Sequence, residues 1–228
     1  MNWPPPYPRI EHLSASTSVP REDLVLVPTA VQVLLSHPIF VEEKLDGANV
    51  MLWRNERGIV EVATRGGPDA IDRAGQLGPL RAWVAQREAT LRAALQSDLV
   101  LYAEWLWFQH SVRYTRLPDF LIALDMLERS GRWLDIGERD AALRDAGLTP
   151  PPQVWQGTGE SPEALTELID VSRYGEDLAE GLIVRPVHQG PGIPRVAKLV
   201  RENLQLRSDE SWAREVRRNH LADTPHTA

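Results

Sequence analysis

Hydrophobic positions in this chain fall into short blocks separated by Gly, Pro and Asn. Residues 39–44, 48–54, 59–64, 99–105, 120–127, 181–185 and 195–200 are apolar runs of strand length. The pair 48–54 and 59–64 flanks Asn55-Glu56-Arg57-Gly58, which predicts a hairpin. Helical spacing is rarer. Leu80, Trp83, Val84, Leu91 and Leu95 predict one amphipathic helix over 80–95. Short helices are expected over 28–36, with Pro28 in the first turn, over 139–146, and over 162–172, capped by Ser161. A last helix is expected over 211–220. Gly66-Gly67-Pro68 breaks the chain, and His188-Gln189-Gly190-Pro191-Gly192 reads as the loop between the final two strands. Residues 1–20 are rich in Pro and Ser and read as an irregular arm. The expectation is an α+β domain of antiparallel sheets flanked by helices over residues 21–205, followed by a C-terminal helix and tail over 206–228, with no separate oligonucleotide-binding domain.

Composition narrows the class. A length of 228 residues with 43% hydrophobic positions supports a real core. There is no cysteine, so neither a disulfide framework nor a thiolate metal site is available. The start, Met1-Asn2-Trp3-Pro4-Pro5-Pro6, lacks a basic region followed by an apolar stretch. No apolar run approaches the roughly 20 residues that cross a bilayer. A cytoplasmic protein is expected. Net charge is -7, so a basic face for nucleic acid must be local. Arg113 and Arg116 are candidates. The basic C-terminal stretch Arg214, Arg217 and Arg218 is another candidate, though it reads more simply as a solvated helix face.

The chemistry starts at Glu43-Lys44-Leu45-Asp46-Gly47-Ala48. Lysine becomes a nucleophile when burial or nearby positive charge lowers its pKa. A strand end fixes the direction of Lys44, and Gly47 permits a tight turn against a ligand. An ordinary Asp-Gly surface turn has the same letters. Further on, Arg65 follows a strand beside two glycines and could reach a phosphate, or simply be solvated. Glu104 interrupts the aromatic run 101–108, where a carboxylate is costly unless bonded. A ribose hydroxyl would satisfy it; so would a partly exposed strand face. His110 reads better as a loop histidine than as a base. Asp125 sits in the apolar run 120–127 and needs an arginine or a ligand. Glu180 precedes Gly181 at a strand edge and could hold Mg²⁺. Lys198 lies among apolar neighbours and needs an anion, for which a nucleotide phosphate would serve.

In this order the motifs resemble the covalent nucleotidyltransferase superfamily of ATP-dependent RNA ligases, DNA ligases and mRNA-capping enzymes. They are most similar to its small RNA-ligase branch, from about Tyr7-Pro8-Arg9 to Asn203. The segment 104–120, with His110-Ser111-Val112-Arg113-Tyr114 and Leu117-Pro118, strengthens the likeness. The resemblance implies an ATP-grasp-like ligase fold and a lysyl-AMP formed on Lys44. It implies a nucleotide site that includes Glu43, Asp46, Gly47, Asn49 near phosphate and metal, and Arg65. Glu104 would bind the ribose, Leu124 and Asp125 would end the segment that closes over the base, and Glu180 would support metal and phosphate chemistry. Lys198 would contact the α-phosphate. Implied cofactors are ATP and Mg²⁺, with Mn²⁺ an alternative. The implied partners are nucleic-acid ends, a 5′-phosphate and a 3′-hydroxyl of RNA, or of DNA or a hybrid, and a partner subunit that could supply a nucleic-acid-binding domain.

The chain departs from the family at two positions. Leu124 stands where an aromatic residue usually precedes the Asp, and Lys198 lacks a second lysine two residues away, a role open to Arg195 or Arg201. Two rival readings follow: a GTP-dependent capping guanylyltransferase, and a non-catalytic nucleotide- or RNA-end-binding subunit.

Overall fold

A computed structural model describes residues 4–14, 24–65, 75, 77–96, 98–201 and 217–222. Strand β1 (Glu11–His12) and helix α1 (Pro28–Leu35) precede β2 (Pro38–Lys44). The hairpin follows as β3 (Ala48–Arg54) and β4 (Val60–Thr64), then α2 (Leu77–Gln86), α3 (Glu88–Leu95), β5 (Leu99–Trp105), β6 (Leu121–Glu128) and α4 (Ile136–Asp145). Next come β7 (Gln153–Thr158), α5 (Pro162–Thr166), β8 (Gly181–Pro186) and β9 (Ala197–Val200). A five-stranded sheet runs β1-β9-β8-β2-β7 and a four-stranded sheet runs β4-β3-β5-β6. All pairs are antiparallel except β1 with β9. The α+β expectation therefore holds.

The four-stranded sheet is buried on both faces, and the period of two decides which side chain goes where. Val50, Leu52, Leu101, Ala103 and Trp105 pack against Leu80 and Val84 of α2, Leu91 of α3 and Leu143 of α4. Met51, Val100 and Tyr102 point the other way, onto Tyr7 and Leu127. The five-stranded sheet packs Ile39, Val41, Leu182 and Val184 against Leu34, Leu35 and Leu165.

Several expectations shift. The helix over 80–95 is two helices, broken at Arg87 (φ -117°, ψ 13°). There Arg87 lies over the Trp83 ring at 4.4 Å, and both donate to Asp119, at 3.1 and 2.7 Å. The arm is not wholly irregular, because Glu11 and His12 pair with Ala197 and Lys198 and Tyr7 is buried. Helix α4 begins at Ile136, before the expected 139, because Asp135 and Glu138 form a reciprocal capping box. Helix α5 keeps its Ser161 cap but stops at Thr166, after which the chain turns to pair Val171 with Leu178. Of the expected final helix, residues 211–216 lie outside the described residues. Residues 217–220 are extended, with Arg218 bridged to Phe108. Gly66-Gly67-Pro68 also lies outside the described residues. No described helix is long and apolar enough to cross a membrane.

Gly181 is where backbone proximity is tightest. A Cβ there would sit 1.9 Å from the Leu199 carbonyl oxygen, across the β8–β9 pairing. Gly181→Ala must push two central strands apart, and an overpacked interior of this kind costs about 1–3 kcal/mol or more. Chemical denaturation should show that loss, with the midpoint moving down and the slope unchanged.

Candidate active site

Lysine 44 is the last residue of β2 and pairs in register with Gly181 of β8. That register brings Glu180, the residue before β8, beside it, and Lys44 Nζ donates to Glu180 Oε2 at 2.5 Å. The facing sheet supplies Asn49 of β3 and Glu104 of β5, which are partners across that pair. Gly47 N donates to Glu104 Oε1 at 3.0 Å. The glycine is required by proximity, because a Cβ would lie 2.7 Å from the Trp105 carbonyl oxygen. Lys198 of β9 pairs with Ile183. Between the sheets lies a cavity of about 380 Å³ lined by Lys44, Gly47, Asn49, Arg65, Glu104 and Lys198. Glu43 and Leu124 also line it.

The charges are strongly coupled. Burial favours the neutral amine of Lys44, but the Glu180 carboxylate outweighs it, with Glu104 and Asp46 adding to the effect. Lys44 is therefore held above its ordinary pKa. The lowered lysine pKa expected from sequence is not found in the ligand-free protein, because the pocket is acidic around the amine. Burial raises the carboxyl of Glu180, opposed by Lys44. Burial also pushes Glu104 up to about 8, opposed by Lys44 and reinforced by Glu180 and Asp46.

Glu104 thus binds a proton in the folded protein between its ordinary pKa of 4.5 and about 8. An unfolded chain has lost that proton, so stability falls as pH rises through this window. Glu104→Gln, which does not ionise, should remove the decline. Its melting temperature should match wild type near pH 5 and exceed it by a few degrees near pH 8, while nucleotide binding weakens. Scanning calorimetry at the two pH values checks the sign.

Three predicted site residues, Asp46, Asp125 and Glu43, have their carboxylates engaged elsewhere. Asp46 Oδ2 accepts from the Ser111 and Val112 amides at 2.5 and 2.9 Å, and the Asp46 amide donates to the Tyr114 hydroxyl at 2.8 Å. Asp46 anchors the loop after β5 and does not line the cavity. His110 Nδ1 lies 3.9 Å from Asp46, and burial holds its pKa below the usual value against the pull of Asp46. Asp125 is taken up by arginine: Arg185 Nη1 donates at 2.8 Å, Arg195 Nη1 at 2.9 Å, and the Tyr7 hydroxyl also donates. The Glu43 carboxylate accepts from Ser172 Oγ at 2.5 Å and the Arg173 amide at 3.0 Å, which ties β2 to the 172–175 loop.

Arg195 lies over Trp133 at 4.0 Å and points to Asp125, so it does not stand in for a second lysine beside Lys198. Arg201 does not line the cavity either; its amide donates to the Glu180 carbonyl at 3.0 Å. Tyr7, Ile10, Pro151, Ile183 and Arg185 line the cavity and were not singled out. Arg185 had a signal, a cation closing the apolar run 181–184.

Among the described residues no cluster of three or more His, Asp or Glu side chains could hold a metal by itself. Glu104 and Glu180 suit a hard cation that arrives on nucleotide phosphates, since Mg²⁺ is commonly held by one or two carboxylates with phosphates and water.

Two largely antiparallel sheets thus enclose a strand-end lysine, with Glu104 of β5 and Glu180 at the start of β8 beside it. The chain belongs to the RNA ligase family, whose model matches residues 37–200. Its fold is similar to a Naegleria gruberi RNA ligase variant with ATP and Mn, at TM-score 0.58 and 14% identity over 78% of this chain and 53% of that one. An archaeal ATP-dependent RNA ligase matches at TM-score 0.56 and 20% identity, covering 85% of this chain and 47% of that one. Another Naegleria gruberi variant, with AMP and Mn, matches at TM-score 0.58 and 15% identity over 86% and 61%. The chain spans roughly half the length of the first two. No curated protein matches it.

Proposed function

We propose that this chain is the adenylyltransferase of an ATP-dependent RNA ligase, with Lys44 as the nucleophile. One observation supports the reading above the others. The half-buried amine of Lys44, which lines the cavity with Lys198, Arg65 and Glu104, meets Glu180 at 2.5 Å just behind the cavity wall.

In the first step Lys44 Nζ bonds to the α-phosphorus of ATP and the bond to the bridging oxygen breaks, releasing pyrophosphate. The ammonium must first lose a proton. Glu180 is its hydrogen-bond acceptor, and a carboxylate raised by burial is a better base than a free one. Lys198 and Arg65 neutralise charge developing on the phosphate oxygens. Glu180 and Glu104 would hold Mg²⁺ or Mn²⁺ together with the phosphates, and the ion would supply further charge neutralisation there. Glu104 accepts from the ribose. AMP then passes to the 5′-phosphate of a nucleic-acid strand, and a 3′-hydroxyl displaces it to seal the ends. RNA is the acceptor in this reading, and the enzyme works in the cytoplasm, with or without a partner subunit that grips the strands.

Incubation with ATP and Mg²⁺ followed by intact mass spectrometry tests the reading. The expected result is a mass gain of one AMP. Gain of GMP from GTP instead would make the enzyme a guanylyltransferase. Nucleotide binding without any adduct would make it a binding subunit. Labelled RNA and DNA ends offered to the adenylated protein then identify the acceptor.

A further inference from the structure

Asn219 is a buried, fully bonded polar side chain that does not line the cavity. Its neighbours Arg217, Arg218, His220 and Leu221 are exposed, yet Asn219 is only 2% exposed. Its Nδ2 donates to the carbonyls of Leu106 and Phe108 at 2.9 and 3.1 Å, and its Oδ1 accepts from the Tyr114 amide at 3.0 Å. The backbone around it repeats the attachment. Gln109 N donates to Arg217 O at 2.9 Å, Asn219 N to Trp107 O at 3.2 Å, and His220 N to Tyr114 O at 3.0 Å. Leu117 N donates to His220 O at 3.0 Å and Ala222 N to Leu117 O at 2.8 Å. Loop 106–117 belongs to neither sheet, so its backbone groups need partners from elsewhere. Residues 217–222 supply those at Leu106 to Gln109, Tyr114 and Leu117, while Tyr174 and Asp177 take the Arg113, Thr115 and Arg116 amides.

That same loop holds the Lys44 turn. The buried Tyr114 hydroxyl accepts from the Asp46 amide, and the Ser111 and Val112 amides donate to the Asp46 carboxylate. Leu45 packs in one cluster with Leu106, Val112, Tyr114 and Leu117. Both residues that follow Lys44 are therefore fixed by a loop that residues 217–222 hold on one side, with Tyr174 and Asp177 holding it on another.

We propose that residues 217–222 are a strap that sets the geometry of the Lys44 turn, with Asn219 as a positioning residue acting through Tyr114 and Asp46. The proposal rests on the ligase reading for its kinetic consequence, but not for its structural one. Asn219 touches no cavity-lining side chain. Its loss should misplace the amine and disturb nucleotide binding less, because Lys198 of β9 and Arg65 after β4 line the cavity from elements that the turn does not carry. A small misplacement of a reacting group lowers rate far more than affinity, by about 10–100-fold.

The test is a double-mutant cycle of Asn219→Ala and Tyr114→Phe in the full chain, read as single-turnover lysyl-AMP formation well below each melting temperature. The expected result is a rate reduced about 10–100-fold in each single variant, with half-saturating ATP changed less than about threefold. The double variant should be no slower than about the worse single, because both act along one path. A folded Asn219→Ala with near wild-type rate overturns the proposal, as do two effects that multiply. Should Asn219→Ala fail to fold, Asn219→Asp takes its place; it keeps the acceptor for the Tyr114 amide and removes both donors. Absence of adduct in wild type would sink the ligase reading instead. Hydrogen exchange at the Ser111 and Val112 amides then decides the strap by itself: faster exchange in the Asn219 variant supports it, and unchanged exchange overturns it.

Discussion

Lys44→Ala is expected to remove AMP adduct formation altogether, at least about 10³-fold, on the scale seen when an enzyme loses its nucleophile. The variant also leaves Glu180 buried without its cation, so some stability loss accompanies it. Lys44→Arg separates the two effects. Arginine can keep the charge beside Glu180, but it does not deprotonate in proteins and cannot supply a neutral nitrogen. It should therefore melt close to wild type, still bind ATP, and form no adduct. Intact mass spectrometry with a parallel thermal melt reads both outcomes. Adduct in Lys44→Arg would move the nucleophile to another residue, with Lys198 the first to examine.

Asp125→Ala is expected to give the largest loss of stability. Arg185 of β8 donates from Nε to Glu42 of β2 at 2.6 Å and from Nη1 to Asp125 of β6 at 2.8 Å, which cross-links the two sheets. Arg139 of α4 reaches the same Glu42 at 2.7 Å and the Leu124 carbonyl at 2.9 Å. Glu42 is fully buried, and Asp125 is 4% exposed. Removing one member strands the others in a medium that solvates charge poorly. Breaking buried pairs in this way costs about 3–5 kcal/mol. For a domain of this size that lowers the melting temperature by roughly 10 °C. Burial raises the carboxyl of Asp125, but Arg185 and Arg195 overcome it and hold it well below the usual carboxylate range. Its contribution is thus complete above the unfolded value of 3.8 and is lost only as pH falls through the depressed folded value. The variant should show a flatter acid limb than wild type. A small melting shift with a large loss of nucleotide affinity would instead return Asp125 to the nucleotide site.

The elements that carry chemistry were legible because they are strongly patterned. The apolar run ending at Lys44, the hairpin strands flanking 55–58 and the run that Glu104 interrupts are all near-continuous apolar blocks of strand length bounded by turn residues. Strand β7 was missed because Gln153, Gln156 and Gly157 dilute its pattern at a sheet edge. Strand β1 has two residues and is held by β9 on one side and by residues 24–26 on the other, pairings no local window contains. Asp125 shows the limit most clearly. Sequence says that a carboxylate in an apolar strand needs a partner. Whether that partner is an arginine or a nucleotide depends on Arg185 and Arg195, which arrive from another sheet and a distant loop. Asp46 misled for the opposite reason. It sits next to the reacting lysine in sequence, yet its side chain turns to the 111–112 amides.

The order of strands has a consequence for how the protein is made. The four-stranded sheet uses one contiguous stretch of chain, β3 to β6, so its pairings close shorter loops than those that join β2 to β7 and β8. The five-stranded sheet draws β1 and β2 from early in the chain and β7, β8 and β9 from late. Long-range pairing waits for large loops to close and is slow. As the chain emerges from the ribosome, the first sheet can consolidate while β2 still lacks β8 on one side and β7 on the other. The strand ending in Lys44 spends that interval unpaired, an open template for another chain. Glu180 reaches the lysine only when the late strands have been synthesised, so partly made chains should carry an exposed, incomplete site. Chaperone demand during translation should therefore peak between completion of β6 and emergence of β8.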